Sequence, residues 1–198
     1  MPKSLHGNEE RQTVRVVFLG DSITAGYGLK KEQAYPAIIQ KLATTDGIHL
    51  TSLNAGLSGD TTRGGLRRVK ILARQPMDIL VIALGGNDGL RGIPPQVSGK
   101  NLKAIIETIR SKQPNVKIIL AGMQMPENMG VEYTTAFRKE YADIAKQQKV
   151  TPLPFLLEGV AAKKDLNFPD GIHPNKKGQE RVAAHVYQAL LPLIQKDS

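Results

Sequence analysis

The sequence predicts a single α/β domain in three layers (αβα), in which a doubly wound parallel sheet of about five strands is covered by helices on both faces. Two observations predict this class. Five short apolar runs alternate along the chain with amphipathic segments of helical period. The strongest runs are continuously apolar, which is typical of strands that are buried on both faces of a parallel sheet.

Each predicted element follows from its local pattern. The first strand is rich in β-branched residues and ends in glycine, and the fifth contains Pro152 and Pro154, which place it at an edge of the sheet. The predicted strands are 14–20, 50–56, 78–86, 116–122 and 151–155. The predicted helices are 34–42, 62–74, 102–110, 133–146 and 177–191.

Length and composition limit the classes of protein that fit. The 198 residues suit one domain, and we predict a flexible N-terminal segment at 1–13 and a single domain at 14–198. The absence of cysteine excludes disulfides, a thiolate nucleophile and cysteine-ligated metals. No apolar run is long enough to span a membrane. A complete chain without an apolar leader is predicted to be cytoplasmic, whereas removal of a signal peptide would indicate a periplasmic or secreted protein.

The net charge of +9 raises the question of an anionic partner. With five Tyr, four Phe and no Trp, and with basic residues spread along the chain, we predict no nucleic-acid partner. Positive charge is concentrated in the predicted helix at 62–74. This segment could be a solvated helix face, or it could attract phosphate-bearing substrates. Its basic residues are Arg63, Arg67, Arg68, Lys70 and Arg74.

Polar residues follow the predicted strands at the edge where such folds bind ligands. Ser22 comes directly after the first strand and could serve as a helix N-cap or as a nucleophile. His173 is the candidate base, because Asp170 stands three residues before it and could orient its imidazole. The other histidines, at positions 6, 49 and 185, read as solvated or structural.

An acyl-transfer site also needs donors for a developing oxyanion. Gly59 can present its backbone N–H without a side chain in the way, and Asn87 carries an amide at the end of the strongest strand. The backbone N–H of Ser22 is the third candidate donor. Each of these residues also has an ordinary role in a turn, but their joint chemistry points to a serine esterase.

Four sequence blocks together resemble the SGNH hydrolases, also called the GDSL esterase/lipase family. The blocks are GDSIT with Ser22, LSGDT with Gly59, GGND with Asn87 and DGIHP with His173. SGDTT and LGGNDGLRG are similar more narrowly to the arylesterase, acyl-CoA thioesterase I and lysophospholipase L1 subgroup. The first block departs mildly from the family, with Ile23 in place of Leu.

The resemblance implies a flavodoxin-like SGNH hydrolase fold and a mechanism consistent with the residues. Ser22, His173 and Asp170 would form the triad, Ser22, Gly59 and Asn87 the oxyanion hole, and no cofactor or metal would be needed. It implies small ester or thioester substrates, including short to medium acyl esters, aryl esters and lysophospholipids, and leaves the oligomeric state open.

We expect the acyl group to lie on the loops 88–95 and 122–130, whose methionines are flexible apolar groups that could equally pack in the core. The predicted substrate-binding residues are Asp21, Leu57, Leu90, Ile93, Met123, Met125 and Met129.

Four alternatives stay open at this point. A metal-dependent phosphoesterase could draw its ligands from the aspartates and histidine of these loops. A nucleotide-binding or response-regulator-like module is disfavoured, because neither G-x-x-x-x-G-K-[ST] nor G-x-G-x-x-G occurs. A non-catalytic carbohydrate or lipid binder and a carbohydrate acetylesterase of the same family are the others. The phosphoesterase ligands would be Asp21, Asp60, Asp88, Asp170 and His173.

Overall fold

The computed structural model describes residues 13–194 and contains a five-stranded parallel sheet. Its strand order is β2-β1-β3-β4-β5, which confirms the predicted α/β class. The strands are β1 (Val14–Gly20), β2 (Leu50–Gly56), β3 (Ile79–Ala83), β4 (Lys117–Ala121) and β5 (Thr151–Leu153).

Helices cover both faces of the sheet, with α2 packed on α7 and with α3, α5 and α6 packed in a row. The α-helices are α1 (Ser22–Ala25), α2 (Tyr35–Thr45), α3 (Thr62–Leu72), α4 (Gly86–Leu90), α5 (Pro95–Lys112), α6 (Val131–Gln147) and α7 (Lys176–Ile194). Short 3-10 turns occur at Lys31–Gln33 and Glu127–Met129.

Several helix ends differ from the prediction for local reasons. Helix α5, which the sequence predicts at 102–110, begins seven residues earlier, at Pro95. Proline is favoured in the first turn of a helix, where its missing N–H is not needed. The predicted third strand was too long at its C-terminal end. It stops at Ala83, and the polar GGND segment contributes the short helix α4 instead.

The order of the strands fixes where a ligand site can form. The chain passes from β1 outward to the edge strand β2 and then returns across β1 to β3. The crossover connections of β1 and β3 therefore diverge, and a crevice opens beyond the carboxyl ends of these two central strands. Ser22 lies two residues after the end of β1, and Asn87 lies four residues after the end of β3.

Apolar burial follows the positions of the strands. All five residues of β3 are buried, as are the last five of β1, whereas β2 at one edge is mostly exposed or half-buried. Within residues 13–194 no helix is long and apolar enough to cross a membrane. Residues 1–12 of the predicted N-terminal segment lie outside the described range.

Candidate active site

Ser22 lies at the start of a one-turn helix that begins immediately after β1. The carboxylate of the preceding Asp21 caps this turn, because its Oδ1 accepts a hydrogen bond from the backbone N–H of Ile23 at 3.0 Å. The capping role is therefore filled by Asp21, and the hydroxyl of Ser22 is available for other contacts. Ser22 is 8% exposed, so this hydroxyl is largely shielded from bulk water.

The structure brings Ser22, His173 and Asp170 together in one hydrogen-bonded chain. Ser22 Oγ lies 2.9 Å from His173 Nε2, and His173 Nδ1 lies 2.8 Å from Asp170 Oδ2. The second oxygen of Asp170 accepts the backbone N–H groups of Ile172 at 2.9 Å and His173 at 3.0 Å. The D-x-x-H spacing thus folds into a tight turn that holds the carboxylate beside the imidazole.

The same contacts keep Asp170 charged and fix the histidine tautomer. Hydrogen bonds from the backbone N–H groups of His173 and Ile172 and from the His173 ring lower the pKa of Asp170 to about 2. A carboxylate only accepts hydrogen bonds, so His173 Nδ1 must carry the proton that it shares with Asp170. When the ring is neutral, Nε2 is then the acceptor, and Ser22 Oγ–H donates to it.

The ring of Tyr27 lies over the imidazole of His173. Their ring centroids are 4.4 Å apart and the rings are inclined by 34°. Tyr27 is 52% exposed, so it forms an outer wall beside the histidine rather than part of the core. Tyr27 is not among the predicted site residues, because a tyrosine five positions after the serine has no distinctive pattern.

Two of the predicted oxyanion donors, Gly59 and Asn87, meet at the loop between β2 and α3, which contains Gly59 and contacts Asn87. Asn87 Nδ2 donates to the backbone carbonyl of Asp60 at 2.8 Å, which orients the amide and leaves its second N–H free of that bond. Gly59 has φ +78°, a left-handed conformation that disfavours side chains. The backbone conformation explains why this position is glycine. Lack of space does not, because a Cβ there would meet no atom within 4 Å.

Arg68, which the sequence groups with the other basic residues of this segment, ties the loop to the end of β1. Its guanidinium donates to Asp60 Oδ2 at 2.7 Å, to the carbonyl of Ala55 at 2.6 Å and to the carbonyl of Gly20 at 2.9 Å. The sequence feature that could have indicated this inward contact is Gly64, one turn earlier on the same helix face as Arg68. A Cβ at Gly64 would come within 1.7 Å of Asp60 Oδ1, so the small residue leaves room for this ion pair.

The buried carboxylate of Asp88 is engaged in hydrogen bonds within the fold. It accepts hydrogen bonds from the backbone N–H and the hydroxyl of Thr62 and from the hydroxyl of Ser98. These bonds anchor α4 and thereby Asn87. Across residues 13–194 no group of three or more His, Cys, Asp or Glu residues is placed to hold a metal ion. The ligand set that the phosphoesterase alternative requires is therefore not assembled in the described part of the chain.

Asp21 is the buried carboxylate closest in sequence to Ser22, and it is only 2% exposed. Burial raises its pKa from 3.8 to about 6, against the lowering effects of the Ile23 N–H and of His173. Asp21 therefore titrates within the range of pH in which enzymes are commonly assayed. Asp21 is one of the predicted substrate-binding residues, and that role stays a prediction.

The remaining predicted substrate-binding residues divide by exposure. Leu57 and Leu90 are 54% and 45% exposed, and Ile93 is half-buried. Met123 and Met125 belong to the hydrophobic core, and Met129 packs partly buried against it. Core packing explains these methionines, and contact with an acyl group stays a prediction for all six residues.

Within residues 13–194 the other two histidines take no part in this series of hydrogen bonds. His49 is exposed before β2, and His185 on α7 contacts the carbonyl of Phe155 through Nε2 at 2.9 Å. Position 6 lies outside the described residues.

Comparison with known proteins shows which family this chain belongs to. Residues 18–181 match the model of the GDSL-like lipase/acylhydrolase family. The chain belongs to this family. As a family member with the predicted four blocks, it is a carboxylic ester hydrolase, and the resemblance stated from the sequence is confirmed.

Named relatives cover almost the whole hydrolase. It is 40% identical over 184 residues to esterase TesA of Pseudomonas aeruginosa, covering 92% of this chain and 90% of that protein. It is 38% identical over 186 residues to thioesterase 1/protease 1/lysophospholipase L1 of Escherichia coli K12, covering 92% and 86%.

Solved structures agree with the fold of the hydrolase. The crystal structure of TesA superposes with a TM-score of 0.85 at 39% identity and covers 90% of this chain and 99% of its own. The psychrotrophic esterase EstA from Pseudoalteromonas sp., in a structure inhibited by monoethylphosphonate, gives a TM-score of 0.86 at 30% identity and covers 91% and 98%.

Proposed function

We propose that this hydrolase cleaves carboxylic esters by nucleophilic attack from Ser22, with His173 as general base and Asp170 as the group that orients it. The observation that carries the proposal is the hydrogen-bonded chain Ser22 Oγ–His173 Nε2–Asp170, with distances of 2.9 Å and 2.8 Å. A serine hydroxyl is a weak nucleophile until a positioned base accepts its proton, and this chain supplies the base.

The reaction takes place in two stages. As Ser22 Oγ bonds to the ester carbonyl carbon, its proton moves to His173 Nε2, and the charged Asp170 stabilises the imidazolium. Nε2 then protonates the leaving alcohol or thiol as the tetrahedral intermediate collapses to an acyl-enzyme. Water attacks the acyl carbonyl with the same histidine as base, and the acid leaves. The protein's own residues, the substrate and water account for every proton and bond in these two stages.

Three donors are proposed for the oxyanion: the backbone N–H groups of Ser22 and Gly59 and the side-chain amide of Asn87. Support for Asn87 comes from its bond to the Asp60 carbonyl, which orients one N–H of the amide and leaves the other for a substrate. Donors held in place before the reaction stabilise developing charge without reorganisation, and each is worth about 10²–10³ in kcat.

The proposed substrates are short to medium acyl esters and aryl esters, with thioesters and lysophospholipids as further candidates. Two sequence relatives, an esterase and a thioesterase/protease/lysophospholipase, support this range. Leu57, Leu90 and Ile93 offer partly exposed apolar surface for the acyl chain. The names do not favour the carbohydrate acetylesterase alternative.

Initial rates on p-nitrophenyl acetate, butyrate, octanoate and palmitate would test this function, with wild type compared with Ser22→Ala. The matched control is Ser111→Ala, which removes an exposed serine hydroxyl at the end of α5. We expect wild type and Ser111→Ala to turn over and Ser22→Ala to lose at least about 10³ in kcat. Equal activity of Ser22→Ala and wild type would refute the assignment of the nucleophile.

Covalent labelling provides a second readout that does not depend on substrate choice. A reactive alkyl phosphonate should add one phosphonyl group to wild type, and peptide mass spectrometry should locate it on Ser22. Ser22→Ala should remain unlabelled under the same conditions. Labelling at another serine, with Ser22 unmodified, would contradict the proposal.

A further inference from the structure

The imidazole of His173 is held at its two nitrogens by bonds that lie in the plane of the ring. Nε2 lies 2.9 Å from Ser22 Oγ, and Nδ1 lies 2.8 Å from Asp170 Oδ2. Such bonds resist sliding of the ring but tolerate moderate tilting, because a hydrogen bond weakens steeply only when it is strongly bent. The side chains of His173 and Asp170 are 20% and 37% exposed, so the core does not enclose this pair. A contact on the face of the ring would fix its tilt.

The ring of Tyr27 makes such a contact. Its centroid lies 4.4 Å from that of the imidazole, and the two rings are inclined by 34°. The hydroxyl of Tyr27 makes no hydrogen bond with another residue in the described part of the chain. The aromatic ring, rather than the hydroxyl, therefore makes the contact with His173.

The backbone ties Tyr27 to the serine as well. Its N–H donates to the carbonyl of Ser22 at 3.0 Å, so the tyrosine is anchored to the same short helical turn as the proposed nucleophile. The residues on either side, Gly26 and Gly28, have φ of +77° and +74°, a left-handed conformation that side chains disfavour. The chain thus bends on both sides of Tyr27.

A second contact joins the turn 26–28 to the loop 168–173 that carries the histidine. A Cβ at Gly28 would lie 3.1 Å from two ring carbons of Phe168, so this ring packs directly against the glycine backbone. The N–H of Phe168 in turn donates to the carbonyl of His173 at 2.8 Å. Two successive residues of the turn therefore meet two residues of the histidine loop that are bonded to each other.

We propose that Tyr27 is a positioning residue for His173 and acts chiefly after the serine has been acylated. The inference rests on the proposed function. In the acyl-enzyme, Ser22 Oγ is bonded to the acyl carbon and has no proton to donate, so the imidazole loses its bond from the serine. Of the three contacts, those with Asp170 and Tyr27 remain. The contact with Tyr27 then keeps Nε2 directed at the water that attacks the acyl group.

Deacylation depends on the placement and the charge of this imidazole. Nε2 accepts a proton from the water as the water oxygen bonds to the acyl carbon, and it gives that proton to Ser22 Oγ as the bond from Oγ to the acyl carbon breaks. Between these transfers the ring is an imidazolium at 4.4 Å from the ring of Tyr27, a distance at which an aromatic face attracts a cation. Tyr27 therefore restrains the base and stabilises its charged form.

The two stages can be measured separately with p-nitrophenyl butyrate at pH 8. This pH lies above the pKa of about 6 of the neighbouring Asp21, so that carboxylate is charged during the assay. Stopped-flow release of p-nitrophenol follows acylation, and rapid-quench mass spectrometry of the intact protein follows decay of the acyl-enzyme. We expect Tyr27→Leu to lower the deacylation rate constant about tenfold and the acylation rate constant no more than about threefold. Tyr27→Phe keeps the ring and should retain both constants within about twofold of wild type.

Two controls separate this role from a loss of structure. Ile71→Ala shortens an apolar side chain that is 68% exposed on α3, and it should leave both rate constants unchanged. Urea unfolding should show that Tyr27→Leu is folded under the assay conditions, because Tyr27 is 52% exposed.

The outcomes distinguish this inference from the proposed function. An unchanged ratio of deacylation to acylation in Tyr27→Leu would overturn the positioning role, as would a Tyr27→Phe variant as slow in deacylation as Tyr27→Leu. If quenched wild type turned over the ester without ever carrying an acyl group on Ser22, the proposed function itself would be wrong.

Discussion

Ser22 Oγ and His173 Nε2 lie 2.9 Å apart although 151 residues separate them along the chain. Ser22 follows the first strand, and His173 stands in the loop before the last helix. Buried Gln179 on α7 joins these two parts, because its Nε2 donates to the carbonyl of Ile23 at 2.9 Å and its Oε1 accepts the N–H of Tyr35 at 2.8 Å. The contact between serine and histidine therefore depends on the docking of α7 beside α1.

Gln179→Met should test this docking role. The change keeps the side-chain length but leaves the Tyr35 N–H without its partner, which costs about 1–3 kcal/mol for a buried group. The Ile23 carbonyl keeps only its bond from the Gly26 N–H, at 3.3 Å. We expect a lower free energy of unfolding in urea and a lower kcat. Gln188→Met, at an exposed position later on the same helix, is the control. Equal stability of the two variants would show that Gln179 does not hold α7 in place.

Asp170→Asn should lower kcat by about 10²–10⁴ with little change in KM, because the amide no longer enforces the Nδ1-protonated tautomer of His173 or stabilises its charged form. Steady-state kinetics on p-nitrophenyl butyrate measures both constants. Asp165→Asn removes an exposed carboxylate five residues earlier and should behave as wild type. If Asp170→Asn kept more than about a third of kcat, the orienting role would be wrong.

The low pKa of Asp170 determines the pH range over which this carboxylate stays charged. Its folded pKa of about 2 lies below the ordinary 3.8, so its contribution to stability is present above pH 3.8 and is lost as pH falls through about 2. The carboxylate therefore remains charged throughout the pH range of ordinary assays, and Asp170 does not cause any acid loss of activity there.

Asn87→Ala should reduce kcat by about 10²–10³ and leave KM within a few-fold of wild type, since an oxyanion donor acts chiefly in the transition state. The same p-nitrophenyl esters serve as substrates. Asn115→Ala, an exposed change at the opposite end of the sheet, is the matched control. A rise in KM with kcat preserved would instead assign Asn87 to substrate binding.

Asp21→Asn should stabilise the protein in a pH-dependent way. Burial raises the folded pKa from 3.8 to about 6, so the stabilisation seen below pH 3.8 is lost as pH rises to about 6. Asparagine keeps the cap on Ile23 without the buried charge. We expect the variant to exceed wild type by about 1–3 kcal/mol in unfolding free energy at pH 8 and by much less at pH 4. Equal differences at both pH values, from urea titrations, would contradict the raised pKa.

Arg68→Lys should destabilise the protein by about 1–3 kcal/mol, because a lysine ammonium cannot reach Asp60 and the carbonyls of Ala55 and Gly20 with the planar geometry of a guanidinium. A fall in kcat should accompany it, since these bonds hold the loop after β2 against the end of β1. Arg74→Lys, on the exposed surface after α3, should change stability by no more than about 0.5 kcal/mol. Similar results for both variants would remove Arg68 from this role.

Local sequence patterns predicted most of the fold. Continuous apolar runs predicted the five strands of the parallel sheet, and Pro152 placed β5 at an edge, because proline cannot donate to a neighbouring strand. The same patterns misplaced the start of α5 and the end of β3, where proline and glycine chemistry decides the boundary over a few residues.

The identities of the candidate site residues were available from the sequence by itself, because serine, histidine, asparagine and glycine stood after predicted strands that end at one edge. Distances and environments were decided only by the tertiary structure. The sequence does not distinguish Arg68 from its basic neighbours, and only the fold brings it to Asp60, Ala55 and Gly20. The sequence leaves Met125 between acyl contact and core packing, and the fold places it in the core. Burial and long-range hydrogen bonds arise from chain segments far apart in sequence, so no local pattern encodes them.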